Sequence, residues 1–147
     1  MTKYYLDTEF NGFGGELLSI ALVEEGNVSS FYATLKQPEG YEEWVRDNVV
    51  PILYSVPEKI WIFRELKKIQ ITAILQEYLK PNAHIIADWP DDIRYFCDLL
   101  ITAPGGMINI PRISFEVVKI DAYPTILSGA VRHNAWWDAQ ALRVALE

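Results

Sequence analysis

Residues 3–35 read KYYLDTEFNGFGGELLSIALVEEGNVSSFYATL, and the turns in this stretch decide the class of fold. Lys3–Phe10 alternates as a strand does, which puts Tyr5, Asp7 and Glu9 on one face. Three glycines within Asn11–Gly15 (Gly12, Gly14 and Gly15) mark a turn. Glu16–Val23 reads as a second strand, closed by Glu25-Gly26-Asn27, and Val28–Leu35 as a third. Short turns between three successive strands make an antiparallel meander.

Beyond Leu35 the period changes. Tyr41–Leu53 reads as a short helix around Trp44, Val45 and Val49, ending near Pro51. Pro57–Leu79 carries Ile60, Phe63, Leu66, Ile69, Ala73 and Leu79 at mostly helical spacing, and Pro81 stops it. His84–Trp89 is a brief apolar strand, and Pro90 suits the first position of a helix running to about Leu100. Pro104-Gly105-Gly106 breaks the chain, Ile113–Ile120 is a further strand, and Asn134 opens a final helix. A meander followed by alternating helices and strands is α/β. It predicts a mixed central sheet, the three-strand antiparallel meander plus parallel strands, flanked by helices.

The 147 residues fit one domain spanning 1–147, large enough to bury a core without staples. Half are apolar and 22% charged, a balance that excludes disorder as the main state. Apolar runs are too short to span a membrane, and MTKYYLDTEF lacks the apolar core of a signal peptide. Cys97 stands alone, so neither a disulfide nor a thiolate metal site is expected, and a cytoplasmic setting follows. Thirteen basic against twenty acidic residues give a net charge of −7, which argues against a protein that wraps long duplex nucleic acid. It leaves room for an enzyme handling a few nucleotides with its acids gathered around metal.

The acids fall in three informative places. Asp7 and Glu9 point into one space from a strand flanked by Tyr4, Tyr5, Leu6 and Phe10. Like charges that close repel unless a cation lies between them. In Asp88-Trp89-Pro90-Asp91-Asp92 most acids suit an ordinary helix start. Asp92, four residues before Phe96 and seven before Leu99, lies on the inward stripe; Asp88 and Asp91 are the fallbacks. In His133-Asn134-Ala135-Trp136-Trp137-Asp138, the acid is in phase with Ala141, Leu142 and Ala145. His133 precedes the helix, where its ordinary pKa suits a general base. Asp7, Glu9, Asp92 and Asp138, converging without basic partners, are what two hard cations such as Mg²⁺ or Mn²⁺ require.

Asp7-Thr8-Glu9 followed by His133-x-Ala-x-x-Asp138-Ala139 resembles the DEDDh superfamily of 3′→5′ exonucleases, which have a ribonuclease H-like fold. Asp91 stands where the family's second motif usually has an aromatic residue, and Asp121-Ala122-Tyr123 is similar to a diverged Asp-Thr-Leu. Phe31-Tyr32-Ala33, Trp44-Val45 and Val50-Pro51-Ile52-Leu53 look closest to a small bacterial and phage exoribonuclease-like branch. The resemblance implies hydrolysis of terminal phosphodiesters of single-stranded RNA or 3′ overhangs, with release of nucleoside 5′-monophosphates. Asp7, Glu9, Asp92 and Asp138 would hold two ions, and His133 would deprotonate the water. Phe10 would stack on the terminal base and Arg132 meet a phosphate, while Arg64, Lys67 and Lys68 would steer substrate. A homodimer is compatible with this reading. Its rivals are a DNA-directed or proofreading-type exonuclease and a non-catalytic nucleotide-binding module.

Overall fold

The alternation around Tyr4 and Tyr5 becomes the two faces of a mixed sheet. In a computed structural model, which describes residues 1–147 apart from the side chain of residue 125, β1 (Thr2–Phe10), β2 (Leu17–Glu24) and β3 (Ser30–Leu35) form the antiparallel meander. β5 (Asn82–Ala87) pairs parallel with β1, and β8 (Arg112–Val117) parallel with β5. β4 (Ile62–Leu66) adds to β3 in parallel, giving the six-stranded order β4-β3-β2-β1-β5-β8. Mixed strands with helices on both faces are the expected architecture, and the arrangement is consistent with a ribonuclease H-like fold.

Four helices complete the elements that matter: α1 (Glu43–Asn48), α2 (Lys68–Tyr78), α3 (Pro90–Leu100) and α4 (Ala135–Leu146). Tyr4, Leu6, Ile20, Leu22 and Phe31 point to one face and pack with Ile71 and Leu75 of α2 and Phe96 and Leu99 of α3. Each such aliphatic or aromatic side chain contributes about 1.5–3 kcal/mol by leaving water. On the other face, Ala21, Val23 and Tyr32 meet Ala135, Trp136, Trp137 and Ala139, while Tyr5 and Ile86 meet Leu142. That second face carries Asp7 and Glu9, so α4 is laid directly against the strand that bears the acids.

The chain departs from its sequence pattern in three places. Pro57–Leu79 is not one helix: Ile62–Leu66 is an edge strand, and the helix begins only at Lys68. Aromatic and β-branched residues at Trp61-Ile62-Phe63 favour the pleated edge, where Phe63 stacks on Phe31 at 5.5 Å. The buried stripe of α2 is therefore Ile71, Thr72 and Leu75, while Ile69 and Ala73 face solvent. The helix expected over Tyr41–Leu53 shortens to α1 and a single 3₁₀ turn at Val50–Ile52, because Pro51 has no N–H to continue it. Finally, Ile101–Ala103 (β6) and Gly106–Met107 (β7) form a small hairpin around Pro104-Gly105. Among the described residues no helix is long and apolar enough to cross a membrane.

Candidate active site

β1 is where strand order reverses, with β2 on one side and β5 on the other, and crevices form at such points beyond the strand ends. Asp7 and Glu9 lie in the C-terminal half of β1; Asp88 follows the last residue of β5. α3 and α4 start nearby, and their first turns supply Asp92 and Asp138. One carboxylate oxygen each from Asp7, Glu9 and Asp138 lies within 4.8 Å of the other two. The same holds for Asp7, Asp88 and Asp92. The four acids expected from sequence are thus brought together, and a fifth joins them.

Local structure holds each acid in place. Asp92 is 3% exposed and comes from the face opposite α4; the Thr8 N–H (3.2 Å) and hydroxyl (2.5 Å) both donate to its Oδ1. Asp91 instead pairs with Arg94 at 2.9 Å and accepts from Trp89 Nε1, as its place on the wetter face predicts. Asp138 sits on the first turn of α4, whose cap is built by Asn134. Asn134 Oδ1 accepts the N–H of Trp136 and Trp137, and its Nδ2 donates to the Ile52 and Leu53 carbonyls. His133 has φ +63°, a left-handed conformation uncommon for a residue with a Cβ, and its ring meets Trp44 edge-on at 4.9 Å.

Electrostatically the cluster is frustrated. Asp7 and Glu9 are driven well above the usual carboxylate range, first by burial and then by the neighbouring acids. Burial pushes Asp92 to about 7 despite the bonds from Thr8. Asp138 also rises to about 7 through burial, although hydrogen bonding with Glu9 and the charge of Arg132 pull the other way. Asp88 is raised by burial, with a further push from Asp121. Burial and Arg132 lower the pKa of His133, which favours the neutral imidazole. Among the described residues, none of the five acids forms an ion pair, and the buried Oδ2 of Asp7 has no hydrogen-bond partner. Such a donor set fits divalent cations: hard oxygens, excess negative charge and an unpaired buried lone pair.

Asp7, Asp88, Arg132, His133 and Asp138 open into a crevice of about 180 Å³, walled also by Tyr123 and Pro124. Arg132 lies over the Tyr123 ring at 5.3 Å. Phe10 does not line this crevice; its ring stacks on Tyr95 at 4.8 Å. Of the three basic residues expected to steer substrate, Lys68 on α2 pairs with Asp98 and Arg64 on β4 lies over Tyr54. A larger groove of about 690 Å³, between α2 and the β6–β7 hairpin, is mostly apolar and contains none of the clustered acids. Asp88's place beside Asp7, Thr8 as the clamp on Asp92 and Trp44 against His133 were not read from the sequence. Only the first left a trace there, as an acid at a strand end.

No family model matches the chain. Among curated proteins it is similar to two 3′-5′ exoribonucleases of Mycobacterium tuberculosis, from strains CDC 1551 / Oshkosh and ATCC 25618 / H37Rv. Each is 36% identical over 81 residues, which is 53% of this chain and 46% of the relative. The chain spans about half the length of the curated relatives it matches.

Proposed function

We propose that the chain is a metal-dependent 3′→5′ exonuclease of the DEDDh type, acting on single-stranded RNA ends. The observation that carries the reading is the buried cluster of acids around Asp7, none of them in an ion pair among the described residues, with an unpaired buried oxygen on Asp7 itself. The likeness to two exoribonucleases supports the same class of reaction.

In this reading Asp7, Glu9, Asp92 and Asp138 hold two divalent cations. Bound Mg²⁺ or Mn²⁺ would supply Lewis acidity toward the attacking water and charge stabilisation for the leaving oxygen. His133, kept neutral by burial and Arg132, accepts the proton of the attacking water. The water oxygen bonds to the terminal phosphorus as the bond from phosphorus to the 3′ oxygen breaks. The departing 3′ oxygen takes a proton from solvent, so the shortened strand leaves with a 3′-hydroxyl and the nucleotide with its 5′-phosphate. Arg132, exposed at the crevice wall, contacts the phosphate. The net charge of −7 fits a protein that grips few phosphates rather than many.

The test uses 5′-labelled single-stranded RNA and DNA of one sequence, each with Mg²⁺ or Mn²⁺. A ladder shortening from the 3′ end, with nucleoside 5′-monophosphate as product and RNA preferred, is the expected result. Equal or faster DNA cleavage would make the enzyme DNA-directed. Absence of any release with either ion would leave a nucleotide-binding module.

A further inference from the structure

Resting on the metal-dependent reading of this site, we propose that Asp88 is a direct ligand of the second cation, so that two abutting ion sites share Asp7. One is formed by Asp7, Glu9 and Asp138, the other by Asp7, Asp88 and Asp92. The second site is then built from protein carboxylates, and the chain holds both ions before any nucleic acid arrives.

Strand register gives the first argument. β1 and β5 run parallel with Tyr4 opposite Ile85 and Tyr5 opposite Ile86. Two residues further along both chains stand Asp7 and Asp88. Tyr5 and Ile86 share the face under α4, and a two-residue step keeps that face. Neighbouring strands lie about 4.8 Å apart, so two acids at matching positions meet side by side. Two carboxylates placed this way repel unless something positive joins them.

The second argument is what Asp88 does not do. An acid ahead of a helix ordinarily caps it, yet the N-cap of α3 is Trp89 and no side chain caps that end. Nor does Asp88 pair with any lysine or arginine among the described residues, whereas Asp91 has Arg94. Asp88 therefore has no helix-start role to account for its half-burial beside Asp7.

Independent of the acids' number is the arrangement of their oxygens. Both hydrogen bonds from Thr8 fall on Oδ1 of Asp92, which leaves Oδ2 of this buried side chain for another partner. Asp7 is common to both triplets, and its Oδ2 is buried and unpartnered. A buried carboxylate oxygen without a donor is costly, and a shared cation on each side resolves it. Three carboxylates on one ion fit Mg²⁺ or Mn²⁺, not a soft metal.

Metal-free protein is titrated with Mn²⁺ in the absence of nucleotide, and free Mn²⁺ is followed by electron paramagnetic resonance. The parent is expected to take up two ions per chain. Asp88→Asn, isosteric and relieved of one repulsive charge, should take up one, with the second dissociation constant raised more than ~100-fold. That exceeds the ~10–100-fold that losing an outer-shell partner costs. Glu9→Gln should retain the other ion, and Asp91→Asn should still bind two. Two ions retained in Asp88→Asn, or a smaller rise, would overturn the assignment, as would a parent that binds its second ion only with a nucleoside monophosphate. A parent that binds no Mn²⁺ at all would instead overturn the metal-dependent reading beneath it. Circular dichroism of each variant guards against misfolding, and Asp88→Ser replaces Asp88→Asn should the amide disturb the strand end.

Discussion

Asp7 is the one acid that belongs to both carboxylate triplets, so its charge is the costliest in the cluster and the most useful to a cation. Asp7→Asn should abolish nucleotide release, and the metal-free variant should melt at or above the parent temperature because a buried repulsion is gone. Retained hydrolysis would remove Asp7 from the site. At the second motif, Asp92→Ala should be as damaging as Asp7→Asn, while Asp91→Ala, losing surface contacts with Arg94 and Trp89 Nε1, should leave most activity. Equal rates for both variants would show that helical phase misplaced the ligand. His133→Ala should lose ~10²–10⁴ in turnover with Mn²⁺ affinity near normal, since no ligand charge changes. An unaltered turnover would make His133 a bystander. At this scale the sequence was legible where periodicity applies: Asp7 and Glu9 by strand alternation, Asp92 by its phase with Phe96. Asp88 was legible only as a fallback, because its place beside Asp7 is set by parallel pairing between segments about 80 residues apart in the chain, and Trp44 was illegible, brought to His133 only by tertiary packing.

Among the elements, α4 bears most on the site, because its N-terminus positions both Asp138 and the turn carrying His133. Asn134 links that end to the chain after α1 by donating to two carbonyls while capping two N–H groups. Loss of a cap costs ~0.5–2 kcal/mol; the Ile52 and Leu53 carbonyls keep the Ser55 N–H and the Tyr32 hydroxyl as donors, so losing the Asn134 bonds adds only their modest net worth. Asn134→Ala should therefore destabilise by roughly 1–3 kcal/mol and depress activity more than a distant core truncation of equal cost. Asn134→Asp keeps the cap but not the donors, so urea denaturation should place it between parent and alanine variant. A urea midpoint for Asn134→Asp equal to the parent's would mean that the bonds to Ile52 and Leu53 carry no weight. The meander, α3 and α4 were readable because local period and burial agree there. β4 was not: Phe63 and Leu66 fit a helical count and also an edge strand, and only docking beside β3 decides. The β6–β7 hairpin is too short to carry a period at all.

For the whole molecule, the buried acids couple stability to pH and to metal. Asp92 and Asp138 titrate near 7 in the fold, and Asp7 and Glu9 are also raised, against an ordinary carboxylate value of about 4. Between those limits the folded chain binds more protons than the unfolded one, so stability falls as pH rises. The stabilising protons are fully in place below the unfolded value and gone above the folded value. Glu24 and Glu147 are shifted down and act oppositely, their contribution fading only as pH falls below the ordinary carboxylate range. Metal-free protein should thus melt highest in mild acid and progressively lower toward and past neutrality. Divalent cations need the deprotonated acids, so their effect should run the other way, absent in acid and large at mildly alkaline pH. A site filled at a hundred times its dissociation constant adds about 2.7 kcal/mol. For a chain of this size that is a rise of roughly 5–10 °C. Calorimetric scans across this pH range, with and without Mn²⁺, read both slopes in one experiment. Asp7→Asn should flatten the metal-free slope and shrink the Mn²⁺ response together, since one buried charge underlies both. A melting temperature indifferent to pH and to Mn²⁺ would mean that the acids are not buried against one another in solution, and the two-ion reading would fall with them.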